Sequence, residues 1–240
     1  KAPGYRWVVI SLWFVCGTTA IMMISTLGIL LPAISDDLHL SPGQQGALSS
    51  AAFWGSLGLA IPLSWWTSRY SPKMLTTVTL ALGVLFLFLQ GWAPAFAGLL
   101  VGRMGFGIAN LAREPARALL TQQWFTQREV ILVNSVSNVF FGVVVGTGLV
   151  LTPYILGVFE DNWRTVLYAY AAFFAGLTVL WMTLGRERVT EEYKGRETQR
   201  EAGLLKGALS HRDLWVAGFG FLGVNMAGSA FISFYPTFLL

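Results

Sequence analysis

The amino-acid sequence predicts an all-α polytopic membrane protein, and three features of the sequence support this fold class. Of the 240 residues, 55% are hydrophobic and 12% are charged, whereas about 25% of the residues of a typical soluble domain are charged. The apolar residues gather in stretches of roughly 20 residues or more, the length of a helix that crosses ~30 Å of hydrocarbon. These stretches are apolar on every side, whereas a strand of a membrane barrel needs only ~10 residues of strict alternation.

The first three predicted helices cover about residues 7–32, 44–66 and 74–92. The first stretch is too long for the apolar region of a signal peptide and lacks a convincing cleavage site, so we expect a retained helix. Serine, aspartate, proline and glycine between residues 35 and 43 indicate a turn before the second helix. The sequence Ser71-Pro72-Lys73 indicates the next turn.

Four further helices are predicted at about residues 95–122, 130–157, 164–184 and 213–238. A proline precedes the fourth helix, and charged or amide-bearing turns precede the fifth and the sixth. We expect a six-helix bundle over residues 1–184, a solvated cytoplasmic linker over 185–212 and the first helix of a second bundle over 213–240. A single helix after a six-helix unit indicates a fragment of a longer protein.

The lysines and arginines predict the orientation of the helices in the membrane. With the N-terminus in the cytoplasm, the loops on that side carry nearly all the basic loop residues, and the outer loops are acidic. This distribution follows the positive-inside rule, so we expect a multi-pass protein of the inner (plasma) membrane with a cytoplasmic N-terminus. The net charge of +4 does not indicate a nucleic-acid partner, because the basic residues form no soluble basic domain.

The fourth helix carries Arg103, Arg113, Glu114 and Arg117, whereas the other long apolar stretches keep ionisable residues out of their middle. A charge in hydrocarbon costs at least ~2.5–3.5 kcal/mol, so such residues face a water-filled cavity or a partner. At about 100° per residue, one polar stripe lies within an arc of roughly 80°, with Arg113 beside it. The stripe consists of Arg103, Gly107, Asn110, Glu114, Arg117 and Thr121. One charged face and one apolar face predict a helix that lines a cavity.

These charges have two open interpretations. Glu114 and Arg117 stand three residues apart and could neutralise one another, and Arg113 and Arg117 could reach the membrane interface. Arg103 lies roughly 10 Å from the outer end of its helix with no acidic residue in reach on that helix, so it needs an anion from elsewhere. An arginine fork grips carboxylate or phosphate, which favours an anionic substrate. Glu114 is then the candidate proton acceptor, with Arg113 and Arg117 as a charge relay.

Other polar residues complete the predicted site. Asn110, Asn138 and Asn225 are predicted to bind substrate together with Arg103, and Asn225 lies on a polar stripe of the seventh helix. Three glycines of the fifth helix are spaced for close packing against another helix: Gly142, Gly146 and Gly148. The two histidines and the single cysteine do not form a metal-binding pattern, so we expect no metal, no cofactor and no enzymatic activity.

The loop after the second helix and two later helices resemble the major facilitator superfamily. Arg69 and Lys73 fit basic positions of that family's gating loop, although Ser68 stands where the family has aspartate. The segment Arg103 to Gly107 fits the R-x-x-x-G pattern of the family's fourth helix. Asn162-Trp163-Arg164 fits the G-W-R pattern that opens its sixth helix.

Between Arg103 and Asn138 the sequence is also similar to the anion:cation symporter branch, which carries sugar acids, organic anions and glutamate. The matching positions are Pro115, Trp124-Phe125, Arg128-Glu129 and Ser135-x-Ser137-Asn138. The resemblance implies that Arg103 contacts the anion. The proton-coupling glutamate of that branch lies seven residues later, where this sequence has Asn110, so Glu114 is the candidate to take its role.

The superfamily resemblance implies twelve helices in two halves, each made of inverted three-helix repeats, with the site between the halves. The sequence would supply the first six-helix bundle and a seventh helix of this partial twelve-helix fold. The predicted function is secondary active transport of a small solute, an organic anion, by alternating access with H⁺ as the coupling ion. We expect the complete protein to be a monomer in the lipid bilayer. The alternatives are a superfamily member that exports neutral or drug-like solutes and a seven-helix receptor.

Overall fold

The computed structural model describes residues 4–67, 70–126 and 128–188, and residues 210–228 apart from positions 214, 217, 221, 222 and 225. The helices are α1 (Tyr5–Ser25), α2 (Leu27–Leu38), α3 (Pro42–Thr67), α4 (Pro72–Trp92), α5 (Phe96–Ala109), α6 (Arg113–Trp124), α7 (Val130–Val158) and α8 (Trp163–Leu184). The described residues contain no strand, which confirms the predicted all-α fold class.

The first predicted span is divided into two helices by a break at Thr26. The N–H of Thr26 bonds to the carbonyl of Met22 at 2.9 Å. The hydroxyls of Ser25 and Thr26 donate to the carbonyls of Ile21 and Met23, at 3.1 and 3.4 Å. Hydroxyls that bond back to the preceding turn often bend a helix. The break between α1 and α2 therefore has a local cause in the sequence.

The fourth predicted span is interrupted as well. A turn of 3₁₀ helix at Asn110–Ala112 separates α5 from α6. A 3₁₀ helix has about 3.0 residues per turn instead of 3.6, so three such residues rotate the following helix by about 60° more than an α-helix would. The later members of the predicted charged face are therefore rotated relative to Arg103, and a continuous charged face stays a prediction. Arg103 on α5 is 2% exposed, whereas the side chain of Glu114 on α6 is 54% exposed.

Close packing between helices holds the bundle together. Helix α4 packs against α5 and α8, α3 packs against α5, and α1 packs against α7 and α8. The largest buried apolar side chains include Phe14, Leu30, Leu87, Phe106, Phe174 and Trp181. At Gly107 the main chain of α5 comes so close to Ala52 on α3 that a β-carbon would overlap the Ala52 carbonyl. This contact sets the distance between α3 and the half of the fourth span that carries Arg103.

The two ends of the bundle differ in charge. The basic end holds the starts of α1 and α4 and the ends of α6 and α8, with Arg6, Lys73, Arg128, Arg186 and Arg188. The opposite end holds Asp36, Asp37, Glu160, Asp161 and Arg164. At the basic end Arg6 pairs with Glu129 at 2.9 Å. The N–H and the hydroxyl of Thr126 lower the pKa of Glu129 below its ordinary value, and the charge of Arg6 adds to this effect. At the opposite end Arg164 pairs with Asp37 at 3.0 Å.

Helix α7 has a largely exposed apolar surface, with Val139 and Val143 more than 60% exposed. Of the three glycines predicted to pack closely, Gly148 meets the side chain of Met22. An added β-carbon at Gly142 or Gly146 would meet no other described atom within 4 Å. Close packing at the described residues is therefore confirmed only at Gly148.

Four of the described helices are long and apolar enough to cross a membrane: α1, α4, α7 and α8. Helix α8 ends at Leu184, the residue at which the predicted bundle ends. Most of the predicted linker lies outside the described residues, and the described residues from 210 to 228 are helical except His211. The division into bundle, linker and seventh helix stays a prediction.

Candidate functional site

Arg103 is enclosed between α5 and the break in the first span. Its Nη1 donates to the carbonyl of Met23 at 3.2 Å and its Nη2 donates to the carbonyl of Ile24 at 2.5 Å. These carbonyls belong to the last turn of α1, where helical carbonyls lose their partners in the following turn. Main-chain carbonyls thus take the place at which the sequence led us to expect an anion. We call this arrangement of Arg103, Met23 and Ile24 the α1 latch.

Three ionised side chains meet at the start of α6. Arg113 Nη2 lies 3.0 Å from Oε1 of Glu114. Arg117 donates from Nε to the other oxygen, Oε2, at 2.9 Å, and its Nη2 forms an ion pair with the same oxygen at 2.9 Å. The carboxylate is therefore held on both sides, and two arginines with one glutamate leave a net charge of +1. We call these three residues the charge cluster.

Two neighbouring helices position the arginines of the charge cluster. Arg113 Nη1 donates to the carbonyl of Gly17 on α1 at 2.8 Å. Arg117 Nη1 donates to Oδ1 of Asn134 on α7 at 3.4 Å. The side chains of Arg113 and Arg117 are 17% and 32% exposed, so Glu114, at 54%, is the most accessible member. The cluster thus bridges α1, α6 and α7 and faces the outside of the described bundle.

Of the other predicted substrate-binding residues, the structure describes Asn110 and Asn138. Asn110 lies in the 3₁₀ turn, where its Nδ2 donates to the carbonyl of Phe106 at 2.8 Å, and its Oδ1 is buried without a partner. Asn138 is exposed on α7. Asn225 and the predicted gating residue Arg69 lie outside the described residues. Sequence reasoning therefore found the residues of the charge cluster but did not separate them from Arg103.

Glu187, a residue that the sequence analysis did not identify, stabilises the start of α4. Glu187 follows α8, and its carboxylate accepts from the main-chain N–H of Lys73 at 2.6 Å. Trp181 Nε1 donates to the carbonyl of Lys73 at 3.4 Å, and Ser71 caps the same helix. A carboxylate is favourable at a helix start because the first N–H groups are unpaired and the helix dipole is positive there. In the sequence, the only indication of this contact was Ser68, which stands where the family has aspartate. Without that aspartate, a carboxylate from another segment can bind the start of α4.

The charge cluster is suited to anion binding and to proton exchange. An arginine guanidinium presents its donors in a plane that matches a carboxylate, and it keeps its charge at any physiological pH. Glu114 is the one member of the charge cluster that can gain a proton. An anion that approaches this site meets the fixed positive charges of the two arginines and the negative charge of Glu114, which protonation would neutralise.

A family model described as Major Facilitator Superfamily matches residues 13–240 of the chain. The chain is 27% identical over 192 residues to the probable galactarate/D-glucarate transporter GarP of Escherichia coli K12, covering 77% of this chain and 42% of that protein. It is 26% identical over 166 residues to the probable anion transporter 3, chloroplastic, of Arabidopsis thaliana, covering 68% of this chain and 31% of that protein. The chain therefore spans less than half the length of either relative.

Among solved structures, the chain is similar to a bacterial homologue of the human lysosomal transporter Spinster in an inward-facing, unoccupied conformation. The TM-score is 0.68, and the match covers 79% of this chain and 45% of that chain. At 15% sequence identity the likeness shows the fold alone. It confirms the predicted fold class, a partial twelve-helix bundle.

Proposed function

This chain belongs to the major facilitator superfamily, and from that premise we propose that it forms the first half of a secondary active transporter for small organic anions. Transport would proceed by alternating access, in which the two halves of the complete protein rock around a site between them.

The charge cluster is the observation that carries this proposal. Ionisable residues within membrane-spanning helices are costly, and they mark substrate and ion pathways. In this chain Arg113, Glu114 and Arg117 lie together on α6, partly accessible, with a net positive charge. A net positive site favours an anion over a neutral or a cationic solute. The names of the two curated relatives, a galactarate/D-glucarate transporter and an anion transporter, point to the same chemical class.

We propose H⁺ as the coupling ion, carried by Glu114. This residue is the only carboxylate within α1 and α3–α8. It is accessible, and its two oxygens contact only the arginines of the charge cluster among the contacts that the structure shows. A proton on Glu114 would leave both arginines without their internal counter-ion.

The proposed transporter is a multi-pass protein of the inner membrane with its N-terminus in the cytoplasm. The charge difference between the basic end and the opposite end supports this orientation through the positive-inside rule. We expect a membrane-impermeant maleimide to label a cysteine introduced at Arg186 only after cells are permeabilised. Labelling of that cysteine in intact cells would contradict the orientation, and a cysteine introduced at Glu160 is the matched control that should be labelled in intact cells.

Uptake by the complete gene product in proteoliposomes tests the proposed function. We expect labelled D-glucarate to accumulate when the outside is more acidic than the inside, because a proton enters with the anion. The neutral polyol D-glucitol, which has the same carbon skeleton without carboxylates, is the control and should not accumulate. If the protein takes up D-glucitol or cationic solutes but no sugar acid, it is not an organic-anion transporter.

A further inference from the structure

Glu114 occupies the position that a bound carboxylate would occupy. Each of its oxygens accepts from a different arginine, Oε1 from Arg113 at 3.0 Å and Oε2 from Arg117 at 2.9 Å. The glutamate is also more exposed than either arginine. It therefore covers the two guanidinium groups from the accessible side and is the first group that an approaching anion would displace.

We propose that Arg113 and Arg117 form the seat for the carboxylate of the substrate, and that Glu114 fills this seat while the transporter is empty. This inference rests on the proposed function and assigns its anion site. A proton from the aqueous side binds the carboxylate of Glu114 and removes its charge, and the substrate carboxylate then takes both arginines. One proton and one carboxylate enter together, so the net charge of the site stays at +1.

The contacts of Arg103 explain why the seat is not assigned to that residue. Both of its Nη atoms donate to main-chain carbonyls, and the residue is 2% exposed. Binding an anion there would require the α1 latch to open. In contrast, Arg117 donates from Nε to the side chain of Glu114, whose half-exposed carboxylate can rotate away without any change in the main chain.

Among the described residues of the helices that pack against α6, no second carboxylate could replace Glu114 in the seat. Helices α1, α4 and α7 and the 3₁₀ turn pack against α6. Their other ionisable residues are Tyr5, Arg6, Cys16, Lys73 and Tyr154. Arg6 is paired with Glu129 at the basic end. Within the described helices, Glu114 is therefore the carboxylate that decides whether the two arginines are occupied.

The residues beside the seat point to a hydroxylated carboxylic acid. Asn134 lies next to Arg117 at 3.4 Å, and Asn138 is exposed one turn further along α7. Amide side chains both donate to and accept from hydroxyl groups. A sugar acid has a carboxylate for the seat and hydroxyl groups along its chain, and these hydroxyl groups would lie over the two amides.

Binding of D-glucarate to the complete protein in lipid nanodiscs tests the seat. We expect Glu114→Gln to bind D-glucarate at least about tenfold more tightly than wild type at pH 7.5, because the competing charge is gone. Between pH 7.5 and 5.5 we expect the wild-type affinity to rise by up to about tenfold per pH unit, since proton and anion bind together. The affinity of Glu114→Gln should not change over this range.

Arg117→Met should weaken binding by about tenfold or more, whereas Arg164→Met at the opposite end of the bundle should bind as wild type does. Arg117→Lys keeps the positive charge but lacks the planar guanidinium, so its affinity for D-glucarate should lie between those of Arg117→Met and wild type. This variant separates a loss of the seat from a folding defect in Arg117→Met. If wild type, Glu114→Gln and Arg117→Met all bind D-glucarate with the same affinity, the seat is wrong but the proposed function still stands. No binding of D-glucarate to wild type or to Glu114→Gln would overturn the seat together with the proposed function.

Discussion

Replacing Arg103 with methionine is expected to lower the free energy of unfolding of the complete protein by about 2 kcal/mol. Methionine fills most of the arginine's volume but removes the arginine donors of two carbonyls: that of Met23 keeps only the hydroxyl of Thr26 at 3.4 Å, and that of Ile24 loses the Arg103 donor. Each buried carbonyl without a partner costs about 1–3 kcal/mol. The removal of a buried charge offsets part of this loss, because arginine is costly to desolvate. The thermal midpoint in nanodiscs, followed by tryptophan fluorescence, measures the effect.

Arg103→Lys is the matched control for the α1 latch. Lysine keeps the charge and donors but lacks the planar fork that reaches two carbonyls at once, so its midpoint should lie between those of wild type and Arg103→Met. Hydrogen exchange should also become faster at residues 22–27 of Arg103→Met than elsewhere in α1, because the latch closes that turn. An unchanged midpoint in both variants would show that the latch does not stabilise the fold.

Replacing Gly107 with alanine is expected to destabilise the protein by about 2–3 kcal/mol. The new methyl group would overlap the main-chain carbonyl of Ala52, and a main chain, unlike a side chain, has no other rotamer to adopt. Helices α3 and α5 would have to separate, and overpacking of this kind typically costs about 1–3 kcal/mol or more. Alanine's better helix propensity returns about 1 kcal/mol at most.

Gly176→Ala on α8 is the control for Gly107→Ala. Gly176 is also a helical glycine, and a β-carbon there would meet no other described atom within 4 Å. We expect this variant to be as stable as wild type or slightly more stable, because only the helix propensity changes. Equal midpoints for the two alanine variants would contradict the close approach of α3 and α5.

The helices were largely predictable because length and hydrophobicity decide them. The predicted end of the sixth helix at about residue 184 matches the end of α8 at Leu184. The third helix was predicted from about residue 74, and α4 begins two residues earlier, at Pro72 with Ser71 as its cap. The breaks at Thr26 and at Asn110–Ala112 were not predicted. At such a break the hydrogen-bond pattern changes, but the run of hydrophobic residues continues, so the sequence gives no sign of it. The helical wheel assumed one continuous α-helix and therefore placed Arg103 and Glu114 on the same face.

The candidate site was predictable in its residue types and not in its partners. The charges of α6 were recognised because ionisable residues are rare in apolar stretches, and the pairing of Glu114 with Arg117 followed from their spacing. The partners of Arg103 are main-chain carbonyls about 80 residues earlier in the chain, and every residue has such a carbonyl. No residue type signals that contact, so it could only be found from the structure.

The central claim is that the fourth span divides its arginines between two roles, with Arg103 in the α1 latch and Arg117 in the anion seat. The most direct test is to measure the thermal midpoint and the Kd for D-glucarate of Arg103→Met and Arg117→Met side by side, in the complete protein. We predict that Arg103→Met loses stability but keeps a Kd within about threefold of wild type, whereas Arg117→Met keeps its stability and loses affinity by about tenfold or more. An Arg103→Met variant that keeps its thermal midpoint and loses D-glucarate affinity, beside an Arg117→Met variant that binds normally, would contradict the account.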